Sequence, residues 1–147
     1  MNKIISALLV LVVSAGAIIA GYIAFKEPVI EDIGNSLEKK DLIVVTSPGP
    51  NDLVSSPLLI TGEARGSWYF EASFPVRIED SNGNELGVVP AQAFDDWMTT
   101  DFVPFQAFLE FEKPATEYGT LILEKDNPSG LPQFEDEMHI PVKFSIP

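Results

Sequence analysis

Residues 55–74 read Ser-Ser-Pro-Leu-Leu-Ile-Thr-Gly-Glu-Ala-Arg-Gly-Ser-Trp-Tyr-Phe-Glu-Ala-Ser-Phe, and this stretch sets the pattern for the rest of the chain. Pro57 is compatible with the start of a strand, because proline can open a strand but cannot donate a hydrogen bond inside one. The apolar run at residues 58–60 has strand length. Gly62 and Gly66 interrupt it, and a cluster of aromatic residues follows. The stretch therefore predicts a strand, a turn and the start of a further strand.

The same alternation of short strands and turns extends through the segments that flank this stretch. The sequence Asp80-Ser81-Asn82-Gly83-Asn84 predicts a hairpin, because Asn-Gly tolerates the positive backbone angles of a tight turn. Residues 91–101 lack a clear period and predict a crossing loop. The predicted strands are residues 42–46, 57–64, 74–80, 85–89, 103–112, 119–125 and 138–144. Seven short strands without a convincing helix predict an all-β fold, an antiparallel β-sandwich.

Side-chain alternation predicts which residues of these strands face the core. Pro141 lies in the last strand and suggests that this strand is at a sheet edge. Phe108 falls on the polar face of its strand. The residues predicted to point inward are Val76, Ile78, Phe105, Ala107, Leu109, Phe111, Met138, Ile140, Val142 and Phe144.

The N-terminus predicts a membrane anchor. Residues 4–25 carry no charge, lie between Lys3 and Lys26, and would span about 33 Å as a helix, enough for a hydrocarbon core of about 30 Å. The alternative is a signal peptide cleaved near residues 15–17, although cleavage there would leave an apolar new terminus. Both interpretations place the rest of the chain outside the cytoplasm. The predicted organisation is an anchor (or uncleaved signal) at 1–26, a linker at 27–41 and a domain at 42–147.

The linker is mostly polar, and its apolar residues Ile30, Ile33 and Leu37 have helical spacing. A short helix next to the membrane is therefore possible. Gly34-Asn35 in the middle of the segment argues against it.

Charge is distributed unevenly along the chain. All 22 acidic residues follow Lys26, together with only seven of the nine basic residues, so this part carries a net charge of −15 against −13 for the whole chain. Such a surface repels nucleic acid and anionic lipid head groups. We therefore exclude nucleic acid as a partner. The chain has no cysteine, so disulfides, thiolate nucleophiles and cysteine zinc sites are excluded as well.

From about residue 43 to residue 144 the chain resembles the immunoglobulin-like domain of bacterial spore-germination proteins, which is found beside GerMN domains. This resemblance implies an immunoglobulin-like sandwich of about seven strands on an exported or anchored bacterial protein, acting as a binding or assembly module. It supplies no catalytic residues and does not imply a role in germination. The segments that carry it are Thr46-Ser47-Pro48, Ser56-Pro57-Leu58, residues 62–66, Trp68, residues 70–76, Trp97, Phe105, Gly119-Thr120-Leu121, residues 126–130 and Ile140-Pro141-Val142.

The residue types give little support for a catalytic site or a metal-binding site. A nucleophilic triad needs a histidine beside the nucleophile, and the one histidine, His139, is predicted to point into solvent from a strand. One histidine without cysteine also makes a zinc site improbable. Residues 80–85 resemble the start of a calcium-binding loop. The segment lacks, however, the glycine that such a loop requires and the glutamate at the twelfth position of the loop. Asp95-Asp96 and residues 135–137 could hold calcium if their loops met. We expect no catalytic, cofactor-binding or metal-binding residue.

The aromatic residues offer the best candidates for a ligand or partner surface, namely Trp68, Tyr69 and Trp97. Phe70 and Phe74 are predicted to lie in the core. Trp68 follows Gly66-Ser67 in a predicted loop, where recognition residues are common, so we expect Trp68 to be the exposed indole. The alternative is that the tryptophans close the core of the sandwich.

The sequence thus favours a single-pass, membrane-anchored extracytoplasmic module with a non-catalytic binding or structural role at the bacterial cell surface. Its expected partners are the membrane, through the N-terminal helix, and a cell-envelope protein or glycan. The alternative function is an exported cell-wall polysaccharide hydrolase that uses a carboxylate pair. With 22 acidic residues in the chain, a suitable carboxylate spacing alone carries little weight.

Overall fold

A computed structural model describes residues 31–145, and the predicted membrane segment at residues 4–25 lies outside this part. Within residues 31–145 no helix has the length and apolar character needed to cross a membrane. The unit that contains the strands begins at Asp32 and extends to the C-terminus.

The described chain is an all-β structure. Short helical segments lie at Ser36–Lys39 (α1) and, as 3₁₀ turns, at Gly66–Trp68 and Pro132–Phe134. All seven predicted strands are present, and an eighth of two residues lies between the first two of them. The strands are β1 Ile43–Ser47, β2 Leu53–Val54, β3 Leu58–Arg65, β4 Ser73–Asp80, β5 Glu85–Ala93, β6 Phe102–Leu109, β7 Tyr118–Glu124 and β8 Glu137–Phe144.

The strands form one hydrogen-bonded sheet in the order β1-β3-β6-β5-β4-β7-β8-β2, antiparallel except for the β2–β8 pair. The contact between β5 and β6 is narrow, because only Gln92 and Ala93 of β5 pair with β6. This short link joins β1-β3-β6 to the remaining strands. Phe74 of β4 and Phe105 of β6 lie in edge-to-face contact, with ring centroids 4.9 Å apart. The two parts of the sheet therefore bury a shared core in a sandwich-like arrangement.

The core follows the predicted alternation closely. Along β8, every second side chain from Met138 to Phe144 is buried, and β4 and β6 alternate in the same way. Phe111 is only partly buried, because β6 ends at Leu109. Phe108 is 57% exposed on the outer face, as predicted.

Strand β5 continues beyond its predicted end at Pro90 to Ala93. Pro90 lies opposite Pro75 of β4 in the antiparallel register. Neither proline has an N–H to donate, so the pair occupies a position where the two strands exchange no hydrogen bond. For this reason Pro90 does not end the strand.

Part of the predicted linker packs on the edge of β8. The Asn35 side chain donates a hydrogen bond to the Glu137 carbonyl (3.1 Å) and accepts one from the His139 N–H (2.7 Å). Gly34 lies so close that a Cβ there would be 2.0 Å from the His139 carbonyl oxygen. This segment thus provides hydrogen-bond partners for backbone groups of β8 that β2 does not reach. The helix α1 begins directly after Asn35.

Candidate functional site

Trp68 lies in the core, so the expectation that it is the exposed indole is wrong. Its side chain is 1% exposed at the end of the 3₁₀ turn Gly66–Trp68. The turn packs tightly against the following loop, because a Cβ on Gly66 would lie 1.9 Å from the Thr99 carbonyl oxygen. The Trp68 carbonyl accepts a hydrogen bond from the Asp126 N–H (3.0 Å). Trp68 therefore anchors this end of the domain rather than presenting a platform to a ligand.

Tyr69 is also buried and has a structural role. Its hydroxyl donates a hydrogen bond to the Val103 carbonyl (2.6 Å), and its ring lies edge-to-face against Phe74, with centroids 5.1 Å apart. Burial raises the pKa of the Tyr69 hydroxyl well above its usual value. The side chain is thus a neutral hydrogen-bond donor and is not available to a partner.

Trp97 is the only one of the three candidate residues that reaches the surface. It is partly buried against the core, and its ring lies edge-to-face with Phe70 at a centroid distance of 6.3 Å. Phe70 was expected in the core, but it is 40% exposed, whereas Phe74 is fully buried as expected. The two side chains of this aromatic pair come from different loops.

These two loops, residues 66–72 and 94–101, meet at one end of the domain. The Gly66 N–H donates to the Asp101 carbonyl (3.2 Å), and the Ala93 N–H, just before the second loop, donates to the Ala72 carbonyl (2.9 Å). The second loop also presents Phe94, 65% exposed, and Met98, 75% exposed. We call Phe70, Phe94, Trp97 and Met98 the loop-end patch.

Sequence reasoning did not select Phe70, Phe94 and Met98 as surface residues. Large apolar side chains are individually common at protein surfaces, so their type alone carries no signal. The available signal was the position of Phe94 and Trp97 on either side of Asp95-Asp96, in a segment without periodicity.

An arginine holds the base of the second loop in place. Arg65 donates hydrogen bonds to the Asp41 carbonyl (3.1 Å) and the Thr100 carbonyl (3.2 Å), and its guanidinium lies 4.0 Å from the centroid of the Phe102 ring. The guanidinium is therefore already engaged with the protein.

The first loop is closed by a tight turn of unusual composition. Phe70 and Ser73 exchange two backbone hydrogen bonds, of 3.0 and 3.1 Å, around Glu71 and Ala72. Both central residues have positive φ, 50° for Glu71 and 63° for Ala72. Such a turn favours Asn-Gly, since the left-handed conformation is unfavourable for residues with a Cβ. The geometry places Phe70 and the Glu71 carboxylate at the surface.

The loops that carry the loop-end patch are acidic. The two loops contain four acidic residues and no basic one: Glu71, Asp95, Asp96 and Asp101. Burial, together with the negative charge of Glu71, raises the pKa of Asp126, whose backbone is hydrogen-bonded to Trp68. This end of the domain is therefore favourable for a cationic group.

A second surface feature is an open, polar groove of about 740 Å³ between α1 and the chain around residues 124–139. Several of its carboxylates are paired with basic side chains. Lys39 lies 2.5 Å from Asp136, and Arg77 contacts both Glu124 and Glu137. His139 Nε2 lies 2.7 Å from Glu137 Oε1, and the His139 side chain is partly exposed, near the solvent as predicted. These contacts join the linker, β4, β7 and β8 through Asp136, Glu124 and Glu137. The carboxylates of Glu38, Asp126 and Glu135 also line the groove.

The two acidic segments that could have formed a calcium site are not brought together as ligands. Within residues 31–145 no three histidine or acidic side chains are grouped closely enough to hold a metal ion. Asp80 instead caps the hairpin: its Oδ1 accepts from the Asn82 and Asn84 N–H groups (2.9 and 3.0 Å), and its Oδ2 accepts from the Asn84 side chain (3.0 Å). The hairpin interpretation of residues 80–84 is confirmed.

Comparison with known proteins identifies the domain. A family model described as the immunoglobulin-like domain of bacterial spore germination matches residues 42–130, more than half of the chain. The resemblance drawn from the sequence is thereby confirmed. No curated protein and no solved structure matches the chain.

Proposed function

The chain belongs to the family of immunoglobulin-like domains of bacterial spore germination, and from this membership we propose that it is a non-catalytic binding or structural module displayed at the bacterial cell surface. The family membership is the observation that carries the proposal. The filled core agrees with it, because the side chains that alternate inward along β4, β6 and β8 pack on one another.

The distribution of side chains supports the proposal that the binding role lies on the loops. Trp68 and Tyr69 lie in the core, and the carboxylates that contact Lys39, Arg77 and His139 are engaged with those side chains. Immunoglobulin-like domains commonly carry recognition on loops at the ends of the sandwich. The loop-end patch is in such a position.

Attachment to the membrane is the second part of the proposal. The uncharged residues 4–25 have the length of a transmembrane helix, and every acidic residue follows them. We propose that this segment anchors the chain with the acidic domain outside the cytoplasm.

Protease accessibility tests the proposed location. Protease added to intact spheroplasts should remove the domain and leave a short membrane-bound fragment, whereas a cytoplasmic marker should survive. Protection of the domain in intact spheroplasts, with digestion only after lysis, would overturn the proposed location. Release of the untreated protein into the medium would instead indicate a cleaved signal peptide.

A further inference from the structure

The loop-end patch combines two properties that a purely structural surface does not need. Its side chains are apolar and exposed, with Phe94 at 65% and Met98 at 75%. The loops that carry them hold four carboxylates and no basic residue. Exposed apolar side chains together with charged residues are a usual composition of a protein interaction surface.

The backbone keeps this surface in place at a local cost. Two consecutive non-glycine residues, Glu71 and Ala72, adopt positive φ directly after Phe70. Backbone conformations of this kind are unfavourable for residues with a Cβ and tend to occur at functional sites. Below the patch, Gly66, Trp68 and Arg65 fix the two loops against each other and against the core. The surface is therefore preorganised rather than shaped on contact.

From this arrangement we propose that the loop-end patch binds a protein segment in which apolar or aromatic side chains are flanked by lysine or arginine. The apolar residues of the partner contact Phe70, Phe94, Trp97 and Met98. Its basic residues lie near Glu71, Asp95 and Asp96. The inference rests on the proposed binding role and specifies its site and the chemistry of its partner.

Charge decides between this partner and two others. A second copy of the chain would bring together two loop ends that each carry four acidic residues. Like charges facing each other across an interface are unfavourable. An anionic lipid surface would be repelled in the same way. A basic and apolar protein segment complements both the acidic loops and the apolar side chains of the patch.

The test is site-specific photo-crosslinking of the full-length chain in cells of its native host. A benzoylphenylalanine residue replaces Phe94 or Met98 in the patch. The matched control replaces Phe108, which is 57% exposed on the outer face of β6, and a third position is Gln133, in the 3₁₀ turn Pro132–Phe134 beside the groove. Crosslinked peptides are identified by mass spectrometry.

We expect a crosslink to one protein from positions 94 and 98 and little from position 108, with the crosslinked peptide containing lysine or arginine beside apolar residues. Replacing Asp95 and Asp96 by asparagine should lower the crosslinking yield about two- to fivefold for each charge removed. Position 133 lies outside the patch, so this substitution should leave the yield of any crosslink formed there unchanged.

Other outcomes overturn the inference in distinguishable ways. A crosslink to lipid, to a second copy of the chain, or to a peptide without basic residues excludes the proposed partner chemistry. A protein crosslink from position 133 alone refutes the patch but leaves the proposed binding role intact. Failure at all four positions, or a yield at positions 94 and 98 no higher than at 108, refutes binding through this surface.

Discussion

Strand β4 lies between two tight turns, and the two turns differ in how well their residues suit their backbone. The turn at its end contains Gly83, with φ of +80°, and the Asp80 carboxylate accepts three hydrogen bonds from Asn82 and Asn84. The turn at its start contains Glu71 and Ala72 at positive φ. At the end of β4 the residue types suit the local backbone conformation. At its start the residue types are unfavourable in the conformation that they adopt.

The difference indicates what each turn does for the domain. The Asn82-Gly83 turn reverses the chain and presents no large apolar side chain. The hydrogen bonds from Asn84, together with those from the backbone, lower the pKa of Asp80, so its carboxylate remains charged as a cap. The Glu71-Ala72 turn places an aromatic ring and a carboxylate beside the second loop. The turn that carries part of the proposed binding surface therefore contains residue types that are unfavourable in its backbone conformation.

The largest effect is expected at the core residue of the loop that carries the unfavourable turn. Replacing Trp68 by Ala removes an indole that is 1% exposed, so it should destabilise the domain by about 3–5 kcal/mol through cavity formation. Chemical denaturation of the purified protein measures this change.

Phe94→Ala is the matched control, because that ring is 65% exposed in the neighbouring loop, and its replacement should change stability by less than about 0.5 kcal/mol. Equal losses in the two variants would contradict the assignment of one ring to the core and the other to the surface.

Sequence patterns predicted the parts of the fold that depend on local alternation. The positions of Met138, Ile140, Val142 and Phe144 followed from period-two alternation, and all four are buried. The Asn82-Gly83 hairpin followed from its residue types. In both cases the residues needed for the conclusion are close together in the sequence.

Features that depend on distant partners were missed. Strand β2 has only two residues and exists because residues 143–144 of β8 pair with it. Asn35 was assigned to a linker, although its side chain satisfies backbone groups more than a hundred residues away. Trp68 follows a glycine and a serine, which suggested a loop at the surface. Its burial depends on the approach of the 94–101 loop, which local sequence does not reveal.

The second prediction concerns the well-fitted turn. Replacing Gly83 by Val should destabilise the domain by about 1–2 kcal/mol, because a β-branched residue resists the left-handed conformation. No neighbouring atom lies within 4 Å of a Cβ at this position, so the loss of stability would come from the backbone conformation and not from a steric clash. Gly83→Asn is the control and should cost less, since asparagine tolerates positive φ. An unchanged denaturation midpoint in the valine variant would show that the turn does not need this conformation in solution.

The smallest effect should have the opposite sign. Ala72 has φ of 63°, so replacing it by Gly relieves the unfavourable conformation, which costs about 1–2 kcal/mol. The added freedom of the unfolded chain offsets about 0.5–1 kcal/mol of that gain. We therefore expect Ala72→Gly to stabilise the domain by about 0.5–1 kcal/mol, measured by chemical denaturation.

Ala115→Gly provides the comparison, because Ala115 is exposed in a loop and does not have positive φ. At position 115 glycine relieves no unfavourable φ and only adds conformational freedom to the unfolded chain. This variant should therefore be slightly less stable than the parent protein. If Ala72→Gly also destabilised the domain, the Glu71-Ala72 turn would not be held against its local preference. The two turns of β4 would then be equivalent. Opposite signs at positions 72 and 115, together with the loss at position 83, would show that, of the two turns of β4, only the one beside the loop-end patch departs from the best local choice.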